Sequence, residues 1–599
     1  MNQLKTVKKS ISARLSKSQK EKLKQVVPFL GLPITKVQVA KHKLNNLGFV
    51  SRGLQELEDL YNNAKRANFK QYAAFELALW HMNQYTQEDA QKALDYLEVH
   101  LSGEENEEKV RRGSILAIEA MNLLGAHSNA RNTADLLLKK TEHADVYFAR
   151  ANSEEEVSSR VAWINKVFKQ YHLLEIRLDD KKVETLTPYD GLKTKVKKEI
   201  VNNEALHENK VTVLMPVYEA ENQIHTALQS IQAQTWTNLE IIVIDDHSQD
   251  KTVETVKKYA EKDERIRVLQ APKNGGPYVA RNIALKEATG KFITINDADD
   301  WSHPEKIEKQ VKHLLEHAEV MGNMSEQARM FDDLSFFRRG RPGEYIFKNM
   351  SSFMFRREEV LAKLGHWDPV RFAADSEFIF RVKNVFGELS VVELETGPLS
   401  FQRHSKSSLT GSEAFGLPNY KMGARREYEM AHDHHHKYAD DLYYDFPQEE
   451  RPFAVPEPML PEKELKENGF RTFDKLYAAD FRQETALSED FLEKLKAEAH
   501  KKIGFVQFYR YEESPFTDVH HKYRKMINDG TAEMIVYGEK VKTPEMVFTD
   551  PQSLLEEQKY VPEIKAEQVT IADAGLKPEQ QQRITGNAGK FTNGDISWI

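Results

Sequence analysis

Between residues 50 and 175 apolar positions recur at spacings of three and four, the signature of one buried helix face. Ala73, Leu77 and Trp80, then Ala90, Ala93, Leu94 and Leu97, predict an antiparallel helix pair with a turn near Tyr85-Thr86. Leu116, Ala120, Leu123 and Leu124 followed by Ala134, Leu137 and Leu138 predict a second pair. Tyr147 to Ala151 with Val161, Ile164, Val167 and Phe168 predict a third. The pattern then changes. Val211 to Met215 and Ile241 to Ile244 are short β-rich runs separated by a helical stretch, Glu221 to Gln234. Helix Thr252 to Glu261, strand Ile266 to Gln270, helix Tyr278 to Ala288 and strand Phe292 to Asn296 follow. Strands alternating with helices of this length predict βαβ units and a mainly parallel sheet flanked by helices. After a Pro-rich stretch near 446–464 the alternation resumes. It predicts strands Lys475 to Ala479, Gly504 to Tyr509 and Glu533 to Tyr537, helices Ser488 to His500 and Val519 to Asn528, and short strands around Met546 and Val569.

The fold class expected is therefore α/β, preceded by an all-α region and followed by a smaller α/β unit. The boundaries predicted are a basic amphipathic segment 1–30, a helical region 31–200, the first α/β domain 205–430, a His-rich and Pro-rich linker 431–470, the second α/β unit 471–576 and a polar tail 577–599. A length of 599 residues agrees with several domains. The helical region has a period of about 35–40 residues with small residues at crossings, similar to tetratricopeptide stacking; without a full consensus, an irregular bundle fits equally. Either serves to pack or to bind a protein partner.

Composition narrows the chemistry. Cys is absent, which excludes disulfides, thiolate metal sites and a cysteine nucleophile. With 85 basic and 93 acidic residues the formal charge is −8, so no global field attracts nucleic acid. No apolar run reaches the length of a membrane span, and MNQLKTVKKS lacks the apolar core of a secretory signal. In residues 1–25 Leu4, Val7, Ile11 and Leu15 share one helical face and basic residues the other. Such a helix can lie on an anionic leaflet, with a solvated terminus as the alternative. The expected location is cytoplasmic, peripheral at the inner face of the cell membrane if that contact forms.

Four polar clusters sit at predicted strand ends, where open α/β sheets bind ligands: MPVYEAEN, IDDHSQD, NGGPYVARN and NDADDW. Carboxylates there can accept from a base or ribose. Gly275 and Gly276 let backbone approach a ligand closely, and the helix after Pro277 presents N–H groups to an anion. Asp297 and Asp299, two apart on an extended segment, face one side and suit Mg²⁺ or Mn²⁺.

In this order the four clusters resemble family-2 glycosyltransferases of the GT-A fold, over about residues 205–430. PVYE stands where that family usually has PVYN, DDHSQD matches DDxSxD, and DADD matches DxD. The resemblance implies a nucleotide-sugar site formed by Pro216, Val217, Tyr218, Glu219, Asp246, Ser248, Gly276, Arg281, Asp297 and Ala298. Asp246 would contact the base, Asp297 would lie near the ribose and Asp299 would bind the divalent cation. Glu219 departs from the family's Asn. GHWDPVRFAADSEFIFRV resembles the acceptor-side segment, with Asp375 aligned to the catalytic base, Glu377 as runner-up, and Trp367 and Asp368 beside the acceptor. RHSKSSLT resembles a late element near the diphosphate, where His404 completes the metal shell or bonds a phosphate and Arg403 offers bidentate contacts. Residues 471–576 look like the first half of a GT-B, Rossmann-like domain. Gln483 and Glu484 stand where a phosphate loop needs glycine, so this unit is read as an interaction or acceptor-positioning module.

The expectation is an inverting, metal-dependent transferase moving a hexosyl or N-acetylhexosaminyl group from a UDP-sugar to a hydroxyl of a cell-envelope glycan or polyol-phosphate acceptor. Nucleotidyl transfer is the rival chemistry, disfavoured by acidic Glu219 and Glu221 after the first strand. A non-catalytic scaffold is the rival class. The run His432, Asp433, His434, His435, His436 invites a zinc reading; adjacent histidines do not easily converge in regular structure, and the run is assigned to the linker.

Overall fold

The computed structural model describes residues 33–194, 208–404 and 414–599, apart from 499, 574 and 593. The basic segment 1–25 and the Ser405–Thr410 part of the late element lie outside these residues.

Helices run from Pro33–Asn45 to Val157–Gln170, and each packs on its successor. Alternate members also touch: Pro33–Asn45 with Ala67–Met82, the latter with Glu107–Leu123, and that with Ala144–Asn152. Contact with next and next-but-one is the stacking of a solenoid. The expected turn falls between Ala67–Met82 and Gln87–Leu101. Tyr85 takes φ 57 there, and Thr86 Oγ1 caps the second helix by accepting from the Asp89 amide at 3.0 Å. The helical region ends in a small hairpin, β1 (Ile176–Leu178) with β2 (Leu192–Thr194), which the helical reading did not contain.

The central sheet holds β3 (Val211–Val217), β4 (Leu239–Asp245), β5 (Ile266–Gln270), β6 (Phe292–Ile295), β7 (Trp301–Ser302), β8 (Gly322–Met330), β9 (Phe336–Phe337), β10 (Phe347–Lys348), β11 (Met354–Arg356) and β12 (Val391–Arg403). Its path is β5-β4-β3-β6-β11-β8-β12-β7. β3 to β6 pair in parallel and β8 with β12 likewise, while β11 runs antiparallel to both neighbours. Every residue of β3, β4 and β6 is buried, as in a sheet covered on both faces. Register places Val217 opposite Asp245 and Leu214 opposite Ile295, so the loops after β3, β4 and β6 leave one edge together.

The second α/β unit is an all-parallel sheet in the order β16-β15-β14-β17-β18-β19, comprising β14 (Lys475–Ala479), β15 (Ile503–Gln507), β16 (Glu533–Ile535), β17 (Lys540–Phe548), β18 (Glu563–Ile571) and β19 (Ile596–Trp598), with β13 (Arg471–Thr472) on β17. Two expected boundaries differ. The stretch from 577 is no tail: helix Pro578–Ala588 buries Ile584 and Ala588, and β19 extends the sheet. The histidine run belongs to helix Gly423–Tyr438, so the Pro-rich connection starts after it. In both places long-range packing gives polar-rich sequence a structure that its composition does not announce.

One apolar core runs from Leu214, Ile244, Tyr278 and Phe378 through Tyr428 to Tyr477, Phe505 and Tyr523, joining the central and C-terminal units. Another joins Phe148 and Phe168 of the helical region to Trp301, Phe336 and Phe401 of the central sheet. No helix among the described residues is long and apolar enough to cross a membrane.

Candidate active site

The predicted clusters meet around the first turn of helix Pro277–Lys286. Asp246 follows β4 and is 3 % exposed. Its carboxylate accepts from the Gly275 amide at 2.9 Å and the Gly276 amide at 2.7 Å. Burial pushes its carboxyl up against these two bonds. Gly276 has φ 89, and a Cβ there would lie 3.0 Å from Arg371 Cγ. Only glycine fits so close an approach. Asp246 thus fastens the Gly-Gly turn to the end of β4.

The PVYE loop is tied to the same edge. The Asp246 amide donates to the Val217 carbonyl at 2.8 Å, and the Glu219 amide to Ser248 Oγ at 2.9 Å. Asp250 accepts from the Glu221 amide at 3.2 Å. Pro216 and Val217 are buried within β3, so they serve the edge through backbone, while Tyr218 and Glu219 are exposed. Glu219 sits at φ 47.

At the end of β6 the chain turns. The Asp300 amide donates to the Asp297 carbonyl at 3.3 Å, so Asp297 and Asp299 lie on a turn and not on the extended segment expected. The two remain electrostatically close: burial, then the Asp297 charge, push the Asp299 carboxyl up. Asp297, Ala298 and Asp299 are partly exposed and Asp300 is buried, accepting from the Arg403 amide at 3.1 Å. Lys306, also buried, donates to Ser302 Oγ at 3.1 Å; burial lowers it to about 8 against the pull of Asp300 and Asp297.

Arg281, one turn into the helix and 4 % exposed, donates to Asp297 Oδ1 at 2.8 Å and lies 4.6 Å from the Tyr278 ring centre. Its Nε and Nη1 have no hydrogen-bond partner among the described residues. Tyr278 Oη accepts from the Asp375 amide at 3.1 Å. Asp375 opens helix Ala374–Phe386 directly after Ala373 at φ 73 and is partly exposed. Asp297, Arg281, Tyr278 and Asp375 thus form one line of contacts, with Asp246 behind the same helix end.

His404 closes the far side. Its ring stacks on Phe337 at 4.1 Å and meets Phe331 edge-on at 4.8 Å, and its Nδ1 has no partner. Burial, then Arg329 and Arg339, hold it at about 4, a neutral imidazole. Arg329 and Arg425, 7 % and 8 % exposed, and the partly buried Arg339 have no carboxylate within 4.0 Å among the described residues. Arg329 Nη2 donates to Gln402 Oε1 at 3.1 Å; among the described residues Arg339 and Arg425 donate to the Leu417 and Phe415 carbonyls. Asp375 is the acidic group whose field reaches both Arg339 and Arg425.

Four expected residues have other work. Trp367 is core, 1 % exposed, its backbone exchanging bonds with Asn282. Asp368 is fully buried, accepting from Tyr428 Oη at 2.8 Å and pairing with Arg451. Glu377, also fully buried, pairs with Arg381 at 2.6 Å and His436 at 3.0 Å, which excludes it as a base. Burial would raise its carboxyl, but these two partners hold it at about 2. Arg403 spends its guanidinium on Asp190 at 3.0 and 3.1 Å, not on a diphosphate. Sequence reasoning missed Tyr278, Lys306, Arg329, Arg339, Arg371 and Arg425. The GGPYVARN cluster contained Tyr278 and the GHWDPVRF segment contained Arg371; nothing local marked the others.

Residues 212–366 match the model of glycosyl transferase family 2. An uncharacterized glycosyltransferase of Haemophilus influenzae is 40% identical over 111 residues, 18% of this chain and 44% of that protein. Glycosyltransferase GlyA of Streptococcus pneumoniae is 38% identical over 112 residues, 19% of this chain and 16% of its own length. The matched part therefore spans less than half of either relative. The crystal structure of S. aureus TarS 1-349 in complex with UDP aligns at TM-score 0.27 and 23% identity, covering 33% of this chain and 61% of that one.

Proposed function

Residues 212–366 belong to glycosyl transferase family 2, and from that premise we propose that the protein transfers a sugar from a nucleotide-sugar, a UDP-sugar, to an acceptor hydroxyl with inversion. The observation that carries this reading is the contact line Asp297–Arg281–Tyr278–Asp375 at the end of one helix. It sets a candidate base beside a buried cation that has unused donors.

Asp375 takes the proton of the attacking hydroxyl. Tyr278 Oη holds the Asp375 amide at 3.1 Å and Asp375 Oδ1 accepts from the Ser376 amide at 2.8 Å; an inverting displacement needs one such carboxylate as base. Arg281 offers Nε and Nη1 to phosphate oxygens and stays charged because Asp297 and Tyr278 offset its burial. Asp246 keeps the Gly275-Gly276 backbone close to the nucleotide. The carboxylates of Asp297 and Asp299 are oxygen donors of the type a divalent cation takes, whereas the donor atoms of Asp297, Asp299 and His404 do not all lie within 4.8 Å of one another. Mn²⁺ or Mg²⁺ held there would neutralise charge on the leaving diphosphate.

The acceptor reading rests on Arg329, Arg339 and Arg425. Buried guanidinium groups without carboxylate partners are costly unless an anion joins them. The place of Arg339 and Arg425 in the field of Asp375, with Arg329 in that of Asp300, Asp299 and Asp297, supports an acceptor carrying phosphate or carboxylate groups, such as a polyol-phosphate or acidic envelope glycan. The test is transfer from UDP-sugars with Mn²⁺ in the Asp375→Asn variant. General-base loss should reduce turnover by about 10²–10⁴-fold while UDP affinity holds. Unchanged turnover would remove Asp375 from this role.

A further inference from the structure

The histidine run lies in helix Gly423–Tyr438, and this changes what it can do. A spacing of four puts His432 and His436 on one face, with ring centres 5.2 Å apart. One donor atom from each of His432, Asp433 and His436 lies within 4.8 Å of the others. Adjacent histidines diverge around a helix, but positions i, i+1 and i+4 share an arc of about 100°.

Two observations show that this is more than proximity. The His432 side chain is 2 % exposed, and its Nδ1 makes no hydrogen bond although Asp433 Oδ1 lies 3.4 Å away. A buried ring nitrogen this close to a carboxylate oxygen is favourable when it carries a proton, as in the neutral Nδ1–H tautomer, or when a metal ion sits between them. Separately, Glu377 reaches from helix Ala374–Phe386 to His436 Nε2 at 3.0 Å, and Arg381 locks Glu377 at 2.6 Å. A carboxylate on the outer nitrogen of a histidine is how metal-ligating imidazoles are oriented. His436 Nδ1 makes a long 3.3 Å contact with the Asn384 amide.

We propose that His432, Asp433 and His436 bind a transition-metal ion of the Zn²⁺ class. Two imidazoles and one carboxylate are the donors such ions take, whereas Mg²⁺ and Ca²⁺ prefer all-oxygen sets. Asp433 is 31 % exposed, so ion and completing water have a path in. The consequence is mechanical. Glu377 is two residues beyond Asp375 on the first turn of their helix, so an ion on His436 braces the turn that carries the candidate base. The same histidine-bearing helix is clasped on its other side by Glu427 with Arg524 of the C-terminal unit, one contact at 3.1 Å.

The test uses the untagged full chain, stripped with chelator and titrated with Co²⁺, followed by its visible d–d bands, and with Zn²⁺ by competition against a chromophoric chelator. One tight equivalent is expected, weakened at least 100-fold in His432→Asn and His436→Asn and unchanged in His434→Asn and Asp299→Asn. Asp433→Asn, at a partly exposed position, tests the site if the histidine variants fold poorly, and should weaken binding at least 10-fold. Absence of a tight equivalent, or one indifferent to both His432→Asn and Asp433→Asn, overturns the proposal and leaves a proton between His432 and Asp433.

Discussion

Replacing Asp246 by Asn isolates the link between β4 and the Gly275-Gly276 turn. In the structure one carboxylate accepts two backbone amides, at 2.9 and 2.7 Å, in a position 3 % exposed. Asparagine is nearly isosteric and retains one acceptor oxygen, so one bond survives as a neutral one. The other becomes an NH₂ group facing a glycine N–H. A charge-assisted hydrogen bond is worth about 1.5–3 kcal/mol net, and a buried donor left without an acceptor costs about 1–3 kcal/mol. Against this, removing a charge whose burial already raises its pKa recovers part of the desolvation cost. The balance is about 2–3 kcal/mol against the bound form of the turn. If nucleotide binding requires that turn, UDP affinity should fall about 30–150-fold. Titration calorimetry with UDP and Mn²⁺ measures it, and urea unfolding of the unliganded protein reports the share of the loss that falls on the fold itself. A variant that binds UDP within threefold of the parent refutes the idea that Asp246 acts by holding the turn.

Further outcomes follow from single contacts. Gly276→Ala puts a side chain at φ 89 with Cβ 3.0 Å from Arg371 Cγ; strain of about 1–3 kcal/mol should weaken UDP binding about tenfold while circular dichroism is retained. Tyr189→Phe removes an Oη that accepts from the Trp301 amide at 2.9 Å and donates to the Phe401 carbonyl at 2.5 Å; urea unfolding should show a loss of about 1–3 kcal/mol. His303 is fully buried, with Nε2 2.9 Å from the Leu174 carbonyl, and burial lowers it to about 4. The unfolded histidine titrates near 6.5, so the unfolded chain binds more protons between these values. Stability is full above about pH 6.5 and falls as pH drops toward 4, by about 3 kcal/mol from this group. The difference between parent and His303→Gln in urea midpoint at pH 7.5 and pH 4.5 checks the sign; a His303→Gln variant with an unchanged pH slope would contradict it.

How much of this was legible beforehand divides along a physical line. Features that depend on neighbours in sequence were readable. Hydrophobic period marked the helical region, strands β3 to β6 of the central sheet and β14 to β18 of the second. Gly275-Gly276 announced a close backbone approach, and the acidic clusters at the ends of β4 and β6 announced a polar edge. Strands of a parallel sheet end on one edge, so the loops carrying Asp246, Asp297 and Asp299 leave the sheet together.

Features that depend on partners distant in sequence were not. Asp375 and Glu377 are two residues apart and chemically alike, yet the helix turns one toward Tyr278 and the other into a buried pair with Arg381. Trp367 and Asp368 looked like exposed recognition residues and are core, because Asn282, Tyr428 and Arg451 arrive from elsewhere to satisfy them. Arg403 went to Asp190, 213 positions away. Arg329, Arg339 and Arg425 carry no local signal, since an arginine on a strand, loop or helix reads as a solvated charge. The helix through His432 and His436 was hidden by a composition that resembles a linker. Local spacing decides which groups a backbone edge offers. Burial and pairing, which decide what each charge can do, are set only when the distant segments meet.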